Sequence, residues 1–340
     1  MVSTRAKVAV FGAGMIGIYV GGLLARDAEV SLIGRPSMLD ALKDGLHLTD
    51  VDGLDETVTD YTPTTDPAAL SGADLVLVTV KSMQTQDAAA AIAAHAPPGA
   101  LIISFQNGVS NADALRAALP GRMVLAGMVP FNVAQRGPAH FHRGTAGGLV
   151  VEDSPALAPF EALLSRSFEL KKSANIVGIQ WGKLLVNLNN AINAVSGVSL
   201  AEEFSQRDYR RSWALAMSEG LTLLKAARIE PVDAVAMPLK LMPQIMSLPD
   251  AIYGYVMAAG GGNKVRVDPH ARSSMADDLV RGRPTEVDYL QGELVRLASR
   301  LGLSAPVNAR LVQLVKAAEQ GASPIPAKAL YAELKAAKRG

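Results

Sequence analysis

Short apolar runs alternate with helical patterns through the first half of the chain. Short apolar runs predict strands at residues 7–11, 29–33, 75–80 and 100–105, and the run at 75–80 (LVLVTV) is continuous and rich in β-branched residues. The stretches between them predict helices, the first of which begins at residue 12 and ends near residue 27. This alternation is typical of a parallel α/β sheet whose strands are buried.

The pattern changes beyond residue 124. Shorter pieces with Gly and Pro, MVLAGMVPF and GTAGGLVVE, predict a few further edge strands that close the sheet. After about residue 171 strand signals nearly vanish, and residues 260–263 (GGGN) predict a loop. Apolar periodicity in this half predicts helices at residues 180–195, 208–228, 233–247, 286–301, 306–319 and 326–338. We therefore expect an α/β domain at residues 1–170 and an all-α domain at residues 171–340.

Composition agrees with two folded domains. The chain has 340 residues, more than one hydrophobic core usually supports, and its 49% hydrophobic and 19% charged residues argue against disorder. The formal net charge is +1 and no dense basic run appears, so no nucleic-acid partner is expected. The first 170 residues carry 11 basic and 17 acidic residues, and the rest carry 22 and 15. The basic second half is therefore the one suited to hold an anion.

An uncharged run at residues 8–25 follows Arg5 and Lys7 and superficially resembles a signal peptide or a membrane helix. Five glycines interrupt the run, and no suitable cleavage site follows it. A cofactor motif, described below, explains it better, and no other apolar run approaches spanning length. We therefore expect a soluble protein with no membrane partner. As to oligomeric state, we expect a monomer or a homodimer.

Cysteine is absent, which excludes disulfides, thiolate nucleophiles and Cys-type zinc sites. The absence is compatible with a reducing compartment, and we expect a cytoplasmic protein. Among the five histidines only His140 and His142 form a close pair, and no third ligand is near them in sequence. We interpret the pair as exposed strand residues and expect no metal site.

The strongest local motif is VAVFGAGMIG, which fits G-x-G-x-x-G directly after a strand and at a helix start. In a βαβ unit the first glycine makes the tight turn, the second lets the backbone approach a pyrophosphate, and the third lets helix and strand pack closely. The alternative is a tight structural turn alone. We predict a Rossmann-type dinucleotide-binding domain followed by an all-α C-terminal domain. The predicted cofactor loop consists of Gly12, Ala13, Gly14, Met15, Ile16 and Gly17.

The end of the second predicted strand favours NADP(H) over NAD(H). A carboxylate at this point would accept a hydrogen bond from the ribose 2′-hydroxyl, but the sequence reads Leu32-Ile33-Gly34-Arg35. Arg35 is instead a cation suited to a 2′-phosphate. The alternative is an ordinary solvated loop arginine.

Two polar residues follow predicted strands of the sheet. Lys81 follows LVLVTV, and Asn107 follows LIISFQ. Because ligands bind beyond the carboxyl ends of parallel strands, both side chains are expected to face the crevice that would hold the nicotinamide. The alternatives are a solvated strand-end lysine and an asparagine that forms the turn before Gly108.

A polar stripe crosses the apolar helix WGKLLVNLNNAINAVSG. Lys183, Asn187 and Asn190 follow i, i+4, i+7 spacing and share one helix face. One interpretation is buried asparagines that have partners and a surface lysine. The other is a substrate-facing stripe whose lysine gives up a proton, because partial burial lowers a lysine pKa towards a useful range. The spacing alone does not decide between them.

Glu286 is a candidate in the segment SSMADDLVRGRPTEVDYLQGELV. Pro284 and Thr285 predict a helix start, which places Glu286 in the first helical turn, where the helix dipole favours a carboxylate. The alternative is an acid that only complements that dipole.

These segments together resemble the ketopantoate reductase family. GAGMIG, VKSMQT, QNG, WGKLLVNLNNA and SSMADDLVRGRPTEVDYLQGELVRLASRLGLSAPVN occur in that order and cover nearly the whole chain. The resemblance implies reduction of ketopantoate to pantoate with NADPH, on the pantothenate pathway. It also implies an active site in the cleft between a Rossmann-type domain and a helical domain, with a small anionic 2-keto acid as substrate.

The resemblance also implies roles for individual residues. Lys183 would be the general acid, and Glu286 would hold the substrate hydroxyl and orient the lysine. Arg35 would read the 2′-phosphate, and Lys81 would border the nicotinamide and the keto acid. The residues implied to hold the substrate are Asn107, Asn187, Asn190 and Ser274.

The chain departs from the family pattern at one position. Many relatives carry a second asparagine eight residues after the lysine, where this chain has Ala191 between Asn190 and Asn193. A different 2-keto acid is therefore one alternative substrate. A non-catalytic NADP-binding regulator is another alternative, although it would be expected to lack Lys183 or Glu286, and both are present.

Overall fold

Strands of the first half form two sheets in the computed structural model, which describes residues 5–233, 237–259 and 271–339. The strands are β1 (Lys7–Phe11), β2 (Glu29–Ile33), β3 (Leu46–Asp50), β4 (Asp55–Val58), β5 (Tyr61–Thr64), β6 (Leu75–Val78), β7 (Leu101–Ser104), β8 (Val124–Met128), β9 (Val133–Gly137), β10 (His140–Arg143), β11 (Leu149–Glu152) and β12 (Leu170–Ser173).

The larger sheet has eight strands in the order β12-β11-β8-β7-β6-β1-β2-β5. From β8 to β5 in this order the strands are parallel, and β11 pairs antiparallel with β8. At the centre Val10 lies opposite Leu32 on one side and Leu77 on the other. The strand order reverses at β1 and β6, which is the point where an open α/β sheet binds its ligand. The predicted Rossmann-type fold and its extra edge strands are confirmed.

The smaller sheet has four strands in the order β4-β3-β10-β9, and the sequence pattern did not predict it. Its central pair, β3 and β10, is parallel and joins residues far apart in the chain, with Phe141 opposite Leu48. Both of these side chains are fully buried.

Helix α1 (Met15–Leu24) contacts strands of both sheets. Every residue from Gly17 to Leu24 is therefore buried. A helix that is apolar all round is normally a buried one. The uncharged run at residues 8–25 is thus explained by burial between two sheets. In the part of the chain that the structure describes, no helix has the length and apolarity to cross a membrane.

Internal contacts divide the chain into two compact units, residues 1–176 and 177–340. The division predicted at residue 170 would fall within β12. The further helices of the first unit are α2 (Pro36–Leu39), α3 (Thr85–His95), α4 (Asn111–Ala118) and α5 (Ala158–Ser167). The helices that follow are α6 (Ile176–Asn187), α7 (Asn189–Ser196), α8 (Leu200–Ser205), α9 (Arg207–Ala226), α10 (Met242–Met246), α11 (Asp250–Ala259), α12 (Ser274–Val280), α13 (Gln291–Arg300), α14 (Pro306–Glu319) and α15 (Ala327–Ala337).

Helices α9, α14 and α15 match the predicted ones closely, whereas the helix predicted at residues 233–247 is wrong in extent. Among the described residues of this range the only α-helix is α10; Asp233 Oδ1 accepts a hydrogen bond from Leu239 N at 2.8 Å, and Pro243 lies in the first turn of α10. The loop predicted at residues 260–263 lies outside the described residues.

The helix predicted at residues 180–195 is divided at Leu188 into α6 and α7. The Leu188 carbonyl accepts a hydrogen bond from Nε2 of the fully buried Gln291 at 2.8 Å. This contact ties the α6–α7 junction to the first residue of α13.

Candidate active site

The glycine motif forms the turn between β1 and α1. Gly12 has a φ of +116°, and a Cβ atom there would lie 2.4 Å from the backbone nitrogen of Val80. Residues with side chains rarely adopt this conformation, and the neighbouring backbone leaves no room for one. Position 12 therefore requires glycine for two reasons, its positive φ and the close approach of the segment after β6.

The other two glycines of the motif have opposite surroundings. A Cβ atom on Gly17 would lie 2.3 Å from the Gly12 carbonyl oxygen and 2.5 Å from Thr79 Oγ1. On Gly14 the nearest atom would be the Gly12 oxygen at 3.9 Å, so the space in front of Gly14 is open. Gly17 thus permits close packing, whereas Gly14 leaves room for a ligand at the start of α1, where N–H groups lack helical acceptors.

Neighbouring strands hold this turn through hydrogen bonds. The backbone nitrogens of Gly12 and Ala13 donate to the Ile33 carbonyl at 2.9 and 2.8 Å. Thr79 Oγ1 donates to the Gly12 carbonyl at 2.8 Å. The turn is therefore fixed by the ends of β2 and β6. Sequence reasoning did not single out Thr79, although its place just after an apolar strand was a usable signal.

Arg35 follows β2 and lies at the exposed N-terminal boundary of α2. Within the described residues, no carboxylate or carbonyl pairs with its guanidinium group. Gly34, just before it, packs against the glycine turn, since a Cβ atom on Gly34 would lie 2.7 Å from the Ala13 Cβ. The structure therefore presents Arg35 beside the candidate cofactor loop.

Lys81 and Asn107 lie on adjacent segments after β6 and β7, and both are half-buried. Ser82 Oγ donates to the Asn107 carbonyl at 3.0 Å, and Asn111 Nδ2 donates to the same carbonyl at 2.6 Å. Asn111 also donates to Ser82 Oγ at 3.0 Å. The structure thus brings Lys81 and Asn107 to one edge of the sheet. The hydrogen bonds from Ser82 and Asn111 fix the backbone at Asn107.

A buried polar network extends that support. Thr85 Oγ1 donates to Asn111 Oδ1 at 2.9 Å and accepts from Gln106 Nε2 at 2.8 Å, while Ser104 Oγ donates to Gln106 Oε1 at 3.0 Å. Each of these side chains is at most 7% exposed. Buried polar groups need such partners. Sequence reasoning missed this network because its members carry no shared motif.

In the helical unit, Lys183, Asn187 and Asn190 are half-buried residues between fully buried neighbours such as Leu184 and Leu188. The polar stripe thus consists of half-buried positions, and the break at Leu188 divides it between α6, which carries Lys183 and Asn187, and α7, which carries Asn190. Although Lys183 keeps some exposed surface, burial of its ammonium group lowers its pKa to about 8, and the charge of Glu286 opposes this shift. A lysine with this pKa can both hold and release a proton near neutral pH.

Gly182 allows the segment before α10 to approach α6 beside Lys183. A Cβ atom on Gly182 would lie 1.8 Å from the Val232 carbonyl oxygen, and Val232 N donates to the Gly178 carbonyl at 2.9 Å. This close approach explains a glycine directly before the candidate lysine.

Glu286 does not lie in the first turn of a long helix, so that prediction is wrong. It precedes a single 3₁₀ turn at Val287–Tyr289, and α13 begins only at Gln291, after Leu290 leaves helical geometry with φ −114° and ψ −85°. The dipole of α13 therefore does not account for Glu286. The charge of Glu286 instead acts on Lys183, whose pKa it raises against the larger effect of burial.

Ser274 is the exposed first residue of α12, and Ser273 caps that helix by accepting from Ala276 N at 3.1 Å. Ser273 Oγ donates to the Asn190 carbonyl at 3.3 Å, so the α12 start lies against α7. Asn193 is fully buried and does not share the exposed stripe. Of the two asparagines that flank Ala191, Asn190 is the one at the partly exposed face.

The histidine pair lies on β10 as predicted, but His142 is only 9% exposed, so the expectation of exposure is wrong for it. Thr49 Oγ1 lies 2.8 Å from both His140 Nε2 and His142 Nδ1, which explains the burial. In the described ranges no group of three or more potential metal ligands occurs. His270 lies outside those ranges.

Comparison with known proteins agrees with this arrangement. Profiles described as "Ketopantoate reductase PanE/ApbA" and "Ketopantoate reductase PanE/ApbA C terminal" match residues 8–156 and 175–319. A 2-dehydropantoate 2-reductase from Halobacterium salinarum is 28% identical over 324 residues, covering 92% of this chain and 99% of the relative.

Solved structures show the same fold. A PanE/ApbA family ketopantoate reductase from Ralstonia eutropha JMP134 is 34% identical, with a TM-score of 0.77, and the match covers 92% of this chain and 98% of that chain. D-mandelate dehydrogenase, solved with NADH and anilino(oxo)acetate, is 21% identical with a TM-score of 0.72, covering 92% and 98%.

A Rossmann-type unit with this glycine turn, followed by a helical unit, is an architecture used by nicotinamide-dependent oxidoreductases. The two profile matches span most of the chain, and the chain belongs to the ketopantoate reductase PanE/ApbA family. This is a family of oxidoreductases that act on CH–OH groups and use NADP(H).

Proposed function

We propose that the protein reduces 2-dehydropantoate (ketopantoate) to pantoate with NADPH, a step of pantothenate biosynthesis. The observation that carries this proposal is the Lys183–Glu286 pair, in which the lysine pKa is about 8, next to the asparagine stripe of α6 and α7. The Halobacterium salinarum relative bears the name of the same activity.

The first unit fits the cofactor. The open space in front of Gly14 suits a pyrophosphate at the start of α1, and the exposed Arg35 suits a 2′-phosphate. When bound, the cofactor supplies a hydride to the keto carbon. Lys81 and Asn107, fixed at the adjacent strand ends, would border the nicotinamide.

Lys183 would act as the general acid. Hydride addition to a ketone leaves the electron pair of the C=O π bond on oxygen, and the ammonium group stabilises that charge and then gives its proton to the oxygen. The product is a secondary alcohol, and the neutral lysine regains its proton from solvent. A pKa of about 8 keeps most of the lysine protonated at neutral pH yet makes it a better acid than an exposed lysine.

The remaining polar residues would hold the substrate. Glu286 would accept a hydrogen bond from the substrate hydroxyl, while Asn187, Asn190 and Ser274 would bind the rest of the keto acid. All of these residues lie in the unit whose half of the chain is basic. A net positive field favours an anionic substrate.

A second candidate is reduction of another branched 2-keto acid. The observation that favours it is Ala191, which is fully buried and cannot replace an asparagine side chain at a binding face. The reaction and the roles of Lys183 and Glu286 would be unchanged.

The decisive experiment measures oxidation of NADPH with ketopantoate, with 2-ketoisovalerate, which lacks the hydroxymethyl group, and with larger branched 2-keto acids. Each assay is repeated with NADH. We expect the highest kcat/KM with ketopantoate and NADPH. A higher kcat/KM with another keto acid would support the second candidate, and absence of turnover with every keto acid would refute the reductase proposal.

A further inference from the structure

Glu319, the last residue of α14, binds the residue directly before Glu286. Its Oε1 atom accepts hydrogen bonds from Thr285 N at 2.9 Å and from Thr285 Oγ1 at 2.7 Å. Thr285 is only 2% exposed, so this carboxylate satisfies two buried donors. Removing an acceptor from buried donors is costly, which makes the contact a strong constraint on the backbone at residue 285.

A second contact from α14 fixes the other side of Glu286. Lys316 Nζ lies 2.7 Å from Asp288 Oδ2 and 3.5 Å from Glu319 Oε2. Between the two contacts, Val287 is fully buried. The turn of residues 285–288, called here the Glu286 turn, is therefore held at residues 285, 287 and 288, so the position of Glu286 follows from its neighbours.

Helix α14, which makes these contacts, is itself held in place by buried residues. Lys316 and Glu319 are three residues apart and so lie on one face of the helix. Leu311 and Val315, two turns and one turn before Glu319 along the same side of the helix, are both fully buried. Since α14 itself is packed in the core of the helical unit, its last turn can transmit that rigidity to the Glu286 turn.

We propose that Glu319, supported by Lys316, is a positioning residue that sets the location of the Glu286 carboxylate relative to Lys183. This inference deepens the proposed function and rests on it for the role of Glu286 towards the substrate. A displacement of about 1 Å in such a group can cost up to about a hundredfold in rate. Thr285 and Asp288 both bind α14, so these two residues would position the turn, whereas Glu286 would contact the substrate.

The test measures the titration of Lys183, which does not require turnover. The full-length protein with bound NADP⁺ is labelled with acetic anhydride at a series of pH values, and acetylation of Lys183 is quantified by mass spectrometry. Glu286→Gln is the reference, because the charge of Glu286 raises the pKa of Lys183. Glu333→Ala is the control, because Glu333 also forms an ion pair with α14, but through Arg310 at its N-terminal half.

We expect Glu286→Gln and Glu319→Ala to move the labelling midpoint of Lys183 to lower pH, and Glu333→Ala to leave it unchanged. Glu319→Gln should give a smaller shift, since its amide oxygen can still accept from Thr285. If Glu319→Ala does not fold, Thr285→Val is interpreted in the same way, because it removes the hydroxyl that donates to Glu319 and accepts from Val287 N but keeps the backbone hydrogen bond to Glu319. An unshifted midpoint in Glu319→Ala, or in Glu286→Gln, would overturn the proposal.

Kinetics provide a second readout. If ketopantoate is the substrate, Glu319→Ala should raise its KM by about tenfold and leave the KM for 2-ketoisovalerate nearly unchanged, because only ketopantoate carries the hydroxyl assigned to Glu286. An equal rise in the KM for both keto acids would indicate general disruption and contradict positioning. If no keto acid is reduced, the proposed function fails, whereas the labelling experiment still decides the role of Glu319.

Discussion

The side-chain oxygen of Asn193 accepts a hydrogen bond from the backbone nitrogen of Ser273 at 2.8 Å. Its amide nitrogen donates to Glu203 Oε2 at 2.7 Å and to the Val198 carbonyl at 3.0 Å. Asn193 is fully buried, and these three bonds occupy both ends of its amide. It therefore holds the start of α12 against α7, whereas the half-buried Asn190 is the residue proposed to contact the substrate.

Replacement of Asn193 should destabilise the protein more than replacement of Asn190. Asn193→Ala leaves the Ser273 N–H and the Glu203 carboxyl group buried with fewer partners, which should cost about 1–3 kcal/mol in the free energy of unfolding. Asn190→Ala should lower stability less and raise the KM for the keto acid instead. Urea unfolding and steady-state kinetics of the two variants check this, and equal stabilities would contradict the assigned roles.

Glu203 should make stability depend on pH. Burial raises its pKa from the ordinary value of 4.5 to about 8, although Asn193 and Asn189 oppose the shift. Between these two pH values the folded state binds a proton that the unfolded chain has released, so stability should fall as pH rises from about 4.5 to about 8. Glu203→Gln removes this dependence.

The comparison is urea unfolding of wild type and Glu203→Gln at several pH values. The stability of the variant relative to wild type should increase with pH by at most about 1.4 kcal/mol per pH unit. Parallel stability curves for the two proteins would contradict a raised pKa for Glu203.

Loss of Lys183 should abolish most of the reductase activity. Lys183→Ala removes the proton donor and should lower kcat by about a hundredfold or more. With Lys183 as the proton donor, the wild-type rate of reduction should be highest below pH 8 and fall as pH rises through about 8. Lys240→Ala, which removes an exposed lysine paired with Glu230, serves as control. An active Lys183→Ala enzyme would refute the general-acid role.

Arg35 should determine the preference for NADPH. Arg35→Ala should raise the KM for NADPH by about tenfold to a hundredfold, since a charged hydrogen bond to phosphate contributes about 1.5–3 kcal/mol, and should leave the KM for NADH nearly unchanged. Lys43→Ala, which removes an exposed cation paired with Asp40 nearby in the chain, is the matched control. If wild type uses NADH and NADPH equally well, Arg35 does not have this role.

Gly14 and Gly17 should respond differently to the same substitution. Gly14→Ala meets nothing closer than 3.9 Å, so the protein should fold normally but bind NADPH more weakly. Gly17→Ala meets the Gly12 oxygen at 2.3 Å and should lower stability by about 1–3 kcal/mol. Thermal unfolding and NADPH fluorescence titration distinguish the two effects. Normal NADPH affinity in Gly14→Ala would exclude a pyrophosphate at this point.

The first unit was largely predictable because its central strands can be recognised from short stretches of the sequence. β1 and β2 have the predicted bounds, since apolar residues dominate each run and become buried, Val8–Val10 in β1 and Val30, Leu32 and Ile33 in β2. The smaller sheet was not predictable in this way. Its strands are short and mixed, such as LHLTD and HFHR, and they pair across some ninety residues, as between His140 and His47.

In the helical half, too, local sequence patterns predicted some features and long-range contacts determined the others. The spacing of Lys183, Asn187 and Asn190 predicted one helix face from local periodicity, and all three are half-buried, but the break at Leu188 places Asn190 on α7 and the other two on α6. The structure around Glu286 depends instead on Glu319, which lies 34 residues from Thr285 in the chain and carries no motif. The choice between Asn190 and Asn193 likewise depends on Ser273, which is remote in sequence.

The close packing of Gly34 against Ala13 limits how this protein could acquire a preference for NADH. An acidic residue at position 34 would bring a Cβ atom within 2.7 Å of the Ala13 methyl group, which is too close for two carbon atoms that are not bonded. That route would require Ala13→Gly first, so the two positions are coupled in any redesign or natural drift. Position 35 has no such restriction, and a change of cofactor preference is most accessible there as a single substitution.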